Sequence, residues 1–113
     1  MQIINIKDEK HIEKLISDEN KLVVIDFYAD WCGPCKSFGK YYEEFVNSFV
    51  KKYGKKNVAF CKINVDKKEL EDFCSVNEIS SIPCVMFIKG NRIIKKMTGN
   101  NSVEFKNTVE KLC

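Results

Sequence analysis

The sequence predicts an α/β fold in the order βαβαβαββα, with a central mixed five-stranded sheet flanked by four helices. Three observations carry this expectation. Segments of strand character alternate with helical apolar stripes along the chain. The strand from Leu22 to Tyr28 is apolar on both faces, as a central strand covered by helices on each side should be. The chain then closes with a hairpin followed by a helix. The early strands are therefore expected to be parallel and the last two antiparallel. With 113 residues and no repeat, linker or low-complexity tract, residues 1–113 should form one domain. Such a domain buries roughly two thirds of its unfolded surface and needs no disulfide to fold.

The elements follow in order. Gln2 to Ile6 reads as a short strand, and Asp8 can cap a helix whose apolar residues Ile12, Leu15 and Ile16 fall at i, i+3 and i+4. Leu22 to Tyr28 is the central strand. The next helix carries Phe38, Tyr41, Tyr42, Phe45, Val46, Phe49, Val50 and Tyr53, a stripe sustained for four turns, with Gly54 as its stop. Val58 to Val65 reads as a third strand, and Asp66 as the cap of a helix bearing Leu70, Phe73 and Val76. Pro83 opens the strand Cys84 to Ile88, and Lys89-Gly90-Asn91 is a tight turn into Arg92-Ile93-Ile94. Asn101 followed by Glu104 starts a final helix with Phe105, Val109 and Leu112 on one face.

Composition narrows the function class. A net charge of +3 arises from 19 basic and 16 acidic residues mixed along the chain. The clusters Lys51-Lys52 with Lys55-Lys56 and Lys95-Lys96 read as solvated positions rather than a nucleic-acid surface. No window approaches the roughly 18 apolar residues of a membrane span, and the N-terminus lacks the basic-then-apolar layout of a signal peptide. A cytoplasmic, reducing compartment is expected. Six cysteines could form a secreted disulfide framework, but a chain with 44% hydrophobic residues does not need one.

Residues 31 to 36 read Trp-Cys-Gly-Pro-Cys-Lys, placing two cysteines where a strand ends and a helix starts. The unpaired N–H groups and positive dipole end of a helix stabilise a thiolate, and the thiolate is the nucleophile in thiol–disulfide exchange. Cys32 is therefore the expected attacking sulfur. Cys35, one turn further in, is placed to attack the mixed disulfide that Cys32 forms, releasing reduced substrate and leaving a Cys32–Cys35 disulfide. Gly33 allows a tight backbone, and Pro34 removes an N–H that would be unpaired there while fixing φ. Asp26 is a charge inside an otherwise apolar strand, where an unpaired carboxylate is costly. It is either functional or turned into water at a strand end. The other readings of the cysteine pair are a zinc site and a redox-independent binding module. Zinc would need four ligands, and no second closely spaced Cys or His pair exists. His11, the one histidine, is far in sequence from the pair, which leaves no Cys–His dyad for hydrolysis.

These features together resemble thioredoxin. The match runs from about Lys21 to the C-terminus. It rests on the strand with Asp26, the motif Trp31 to Lys36, the segment Lys62-Ile63-Asn64-Val65-Asp66, the Ile82-Pro83 dipeptide, and Lys89-Gly90 followed by Gly99. The resemblance implies the thioredoxin fold and a protein disulfide reductase, in which the Gly33-Pro34 dipeptide accompanies reducing rather than oxidising or isomerising behaviour. It implies that Asp26 is a buried carboxylate behind Cys35 that manages the proton, with Lys62 facing it, and that burial raises its pKa. It implies that Pro83 is cis. Trp31, Gly33, Pro34, Ile82, Pro83 and Gly99 would then form the docking surface around Cys32, although packing into the core is the alternative for Trp31.

The same resemblance implies a monomer with no bound cofactor beyond the redox-active Cys32–Cys35 disulfide. A thioredoxin reductase would regenerate the dithiol, its NADPH and flavin belonging to that partner, since the chain has no Gly-rich dinucleotide motif. Clients would be protein disulfides, such as those of peroxiredoxins or ribonucleotide reductase, with no nucleic-acid or membrane partner. Two positions depart from the family pattern. Cys84 stands where Thr is commonest after the cis proline, either as an inert small hydrophobe or as a modifiable thiol. Lys40, preceded by Gly39, replaces the proline that usually kinks the helix, and Gly39 is read as softening the helix there. Of the remaining cysteines, Cys61 and Cys74 should be buried and Cys113 free.

Overall fold

The computed structural model describes residues 2–54 and 57–113. Lys55 and Lys56, half of one basic cluster, lie outside them, as does Met1. The elements are β1 (Ile3–Asn5), α1 (Glu9–Ile16), β2 (Leu22–Tyr28), α2 (Gly33–Tyr53), β3 (Val58–Asn64), a 3-10 turn (Lys68–Leu70), α3 (Glu71–Val76), β4 (Cys84–Lys89), β5 (Arg92–Thr98) and α4 (Ser102–Leu112). The sheet order is β1-β3-β2-β4-β5. β1 and β2 run parallel to β3, while β4 is antiparallel to both β2 and β5.

Local chemistry sets the helix ends. Asp8 accepts the His11 N–H at 2.9 Å to cap α1, and Asn101 accepts the Glu104 N–H at 3.0 Å to cap α4. Gly54 closes α2 with φ +79°, a backbone that a β-carbon would disfavour, and its N–H reaches the Val50 carbonyl at 2.8 Å.

The pleat divides the core in two. One layer, under α2 and α4, holds Val24, Phe60 and Phe87 against Phe38, Tyr42 and Phe105. The other, under α1 and α3, holds Ile25, Phe27 and Met86 against Ile12 and Leu70, and takes in the free thiols Cys61, Cys74 and Cys84. Phe105 is the centre of the first layer, with its ring edge-on to Phe38, Tyr42 and Phe45 at 5.1–5.5 Å. Asp26 alternates with Ile25 and Phe27, so its side chain turns toward α2, away from the layer of free thiols.

Three sequence expectations are corrected. Asp66 does not cap α3: that helix starts only at Glu71, after the 3-10 turn, without a side-chain cap. Val76 does not join the core but is 80% exposed, because α3 ends there. β5 runs on past Ile94 to Thr98, and Ile93 and Ile94 lie exposed on this edge strand.

Candidate active site

The site is assembled where three chain segments meet. The first is the start of α2. Cys32 is its N-cap residue and its Sγ accepts the Cys35 N–H at 3.2 Å, with Pro34 in the first turn. Sγ thus lies on the electropositive end of a 21-residue helix. Cys32 and Cys35 form a disulfide, with Cα atoms 5.2 Å apart. Both are buried, packed with Ala29, Tyr28 and Ile82, while Gly33 and Pro34 are exposed.

The second segment precedes β4. The Ile82–Pro83 bond is cis, and the Ile82 carbonyl oxygen lies 3.9 Å from Cys32 Sγ. The third follows β5, where the Gly99 N–H donates to the Pro83 carbonyl at 2.9 Å. The Gly99 φ of +93° is a conformation that side chains disfavour. Trp31, Gly33, Pro34, Ile82, Pro83 and Gly99 are thereby gathered around one sulfur. Trp31 is 71% exposed, so it is not a core residue. Its indole N–H donates to Asp66 Oδ2 at 2.8 Å. Asp66 is the residue that sequence reasoning missed; the available signal, an acidic residue just past a strand, was assigned to a helix cap.

Behind the pair, Asp26 is 3% exposed and its Oδ1 has no hydrogen-bond partner among the described residues. Burial pushes its carboxyl from 3.8 up to about 7, against a smaller downward pull from the Lys62 ammonium. Asp26 and Lys62 are register partners across β2 and β3. Among the described residues, however, no ion pair joins them, and the Lys62 ammonium instead sits 5.6 Å from the centre of the Tyr28 ring. A cleft of about 470 Å³ reaches both Asp26 and Cys35. The arrangement therefore combines a dithiol pair, a helix terminus that favours a thiolate, and a carboxyl that changes charge near neutral pH.

Cys84 is buried beside the cis proline with its thiol pushed upward by burial, and Cys61 and Cys74 are pushed up to about 12 and about 11 for the same reason. None of these three is a thiolate at neutral pH. Cys113 is exposed and free.

The thioredoxin family model matches residues 2–111. The chain belongs to the thioredoxin family. It is 31% identical over 107 residues to Thioredoxin-2 of Saccharomyces cerevisiae, covering 95% of each chain. It is 38% identical over 95 residues to the thioredoxin of Mycoplasmoides gallisepticum, covering 84% of this chain and 86% of that one. To Thioredoxin-T of Drosophila melanogaster it is 39% identical over 99 residues, spanning 88% of this chain but only 59% of that relative. Among solved structures, a poplar thioredoxin h superposes with a TM-score of 0.84 at 27% identity over 99% of this chain and 96% of that one. A Schistosoma mansoni thioredoxin superposes with a TM-score of 0.83 at 30% identity over 99% and 96%. The fold is the thioredoxin fold, and the protein is a thiol–disulfide oxidoreductase of the disulfide-reductase type. Thioredoxins act through their redox-active disulfide and need no bound cofactor. Among the described residues no helix is long and apolar enough to cross a membrane.

Proposed function

We propose that the chain reduces protein disulfides with Cys32 as nucleophile and Cys35 as resolving thiol. The Cys32 thiolate attacks one sulfur of the client disulfide, forming a mixed disulfide and expelling the other client sulfur as a thiolate that takes up a proton. Cys35 then passes its proton to the Asp26 carboxylate, and its sulfur attacks Cys32. The Cys32–client bond breaks and the second client sulfur leaves reduced. Two electrons have moved from the dithiol to the client, and the Cys32–Cys35 disulfide remains.

Support for the roles is geometric. Cys32 Sγ sits at the helix N-terminus beside an exposed ring of Trp31, Gly33, Pro34 and Gly99, with half-buried Ile82 and buried Pro83 completing the surface on which an extended client segment docks. Asp26 lies behind Cys35 with a carboxyl poised near neutrality, and Lys62 across the strand pair opposes part of its burial penalty. In this reading the chain is a monomer of the cytoplasm, and Cys84 is an inert small hydrophobe. A thioredoxin reductase carrying NADPH and flavin regenerates the dithiol, and clients are enzymes that cycle through disulfides, such as peroxiredoxins or ribonucleotide reductase.

The observation that carries the proposal is the Cys32–Cys35 pair at the start of α2. The test is its reduction potential, measured against defined thiol buffers with Trp31 fluorescence as reporter. The expected midpoint is near about −270 mV, a value belonging to the family rather than derived from this structure. A midpoint near about −180 mV would assign oxidation or isomerisation instead.

A further inference from the structure

The inward face of α2 is a continuous stripe of side chains with one gap. Cys35, Phe38, Tyr42, Val46 and Phe49 are all buried on it. Gly39 lies four residues after Cys35 and three before Tyr42, so it falls on the same face. A β-carbon built there would meet no atom within 4 Å. That missing side chain coincides with the cleft of about 470 Å³ whose walls include Gly39, Cys35 and Asp26. The Asp26 carboxyl is nearly sealed, and the oxygen left without a partner is Oδ1. Tyr42, which also borders the cleft, is committed elsewhere, its hydroxyl donating to the Cys61 carbonyl at 2.8 Å.

We propose that Gly39 is a positioning residue that keeps this cleft open, so that water reaches Asp26 and carries away the proton that Cys35 surrenders. The space is far larger than the roughly 30 Å³ a water molecule occupies, and an orphaned carboxyl oxygen gives water a partner. The proton balance requires such a route. Each turnover loads one proton onto the Asp26 carboxylate, and it must leave before the next. The charged groups that face the route are Lys62 from β3, Asp30 after β2, and Lys36, Lys40 and Glu43 from α2, while Tyr28 borders it from β2. Their signs nearly cancel, which suits passage of a proton by water better than capture of an ion. The inference rests on Asp26 being the proton acceptor, as proposed above.

The experiment fills the gap in steps with Gly39→Ala and Gly39→Leu. Both side chains start into open space, and both residues are better helix formers than glycine, so folding is retained, as melting curves will verify. Two quantities are read: the rate at which Cys35 resolves a preformed Cys32 mixed disulfide at pH 7, and the titration midpoint of Asp26 followed by its carboxyl infrared band. The expected result is graded, with resolution slower for Ala than Gly and about tenfold slower for Leu, and the Asp26 midpoint climbing in the same order. The initial attack by Cys32 should be unchanged. An unchanged midpoint and resolution rate in Gly39→Leu overturn the role of Gly39. Asp26→Asn, run alongside, separates the two levels. If it resolves as fast as the unmodified protein, Asp26 is not the acceptor and both readings fall; if it is slow while Gly39→Leu is not, only the role of Gly39 falls.

Discussion

Replacing Asp26 with Asn should make the protein more stable at neutral pH and the stability almost independent of pH through the carboxylate range. In the folded state burial raises the carboxyl from 3.8 to about 7. The fold therefore prefers the protonated form. Its contribution to stability is fully present below pH 3.8 and is lost as pH rises through about 7. At about 1.36 kcal/mol per unit, the shift corresponds to about 4 kcal/mol at pH 8 and about 2 kcal/mol at pH 5.5. The assay is urea unfolding of the oxidised protein and of Asp26→Asn at intervals from pH 3.5 to 8.5. Groups common to both proteins cancel in the difference between the two curves, and any fixed cost of burying the Asn amide appears as a constant offset. The difference should grow in favour of Asn by about 4 kcal/mol between pH 4 and pH 8. A difference that stays flat across this range would falsify the reasoning, because it would mean that the folded carboxyl titrates at its ordinary value.

Three further predictions concern the scaffold. Glu78 holds φ at +55° beyond α3, a left-handed backbone that suits glycine, so Glu78→Gly should stabilise the protein by about 0.5–1 kcal/mol and raise Tm by about 4 °C. An unchanged or lower Tm would count against strain at that residue. Phe105→Ala empties the centre of the aromatic layer and should cost about 3–5 kcal/mol in denaturant unfolding, and a loss below about 1 kcal/mol would show that the layer closes over the cavity. In the folded, oxidised protein, iodoacetamide should label Cys113 first, with Cys61, Cys74 and Cys84 labelled only after unfolding. Rapid native labelling of Cys84, located by peptide mass spectrometry, would make it a modifiable thiol.

The elements that sequence resolved best are those whose signals are local. Leu22–Tyr28 is an unbroken run with no polar residue but Asp26, and α2 has its stripe, its proline and its closing glycine in sequence order. The Asp8 and Asn101 caps are equally local. Where reasoning failed, a distant partner decided the outcome. Asp66 has the right chemistry for a cap, but the Trp31 indole, 35 residues away, takes its carboxylate. Val76 continues an apolar stripe, yet the chain turns away after Asn77 and Glu78 before that stripe can be covered. Lys62 was expected to face Asp26; the register places it there, but its ammonium settles over Tyr28. Gly39 was visible as a departure in a helix, but its consequence depends on what lies opposite in the sheet, which no helical periodicity reveals.

The pleat also has a bearing on how the protein survives the chemistry it performs. A strong dithiol in the same molecule as three more buried thiols invites shuffling, since any thiolate that reaches the Cys32–Cys35 bond can exchange with it. Cys61, Cys74 and Cys84 are packed in the layer under α1 and α3, whereas the working pair lies at the head of α2. The sheet is thus an insulating wall between the spectator sulfurs and the reactive ones. That wall exists only while the chain is folded. Heating the oxidised protein past its transition should scramble the disulfide and leave it unable to return, whereas the reduced protein, with no disulfide to exchange, should recover on cooling.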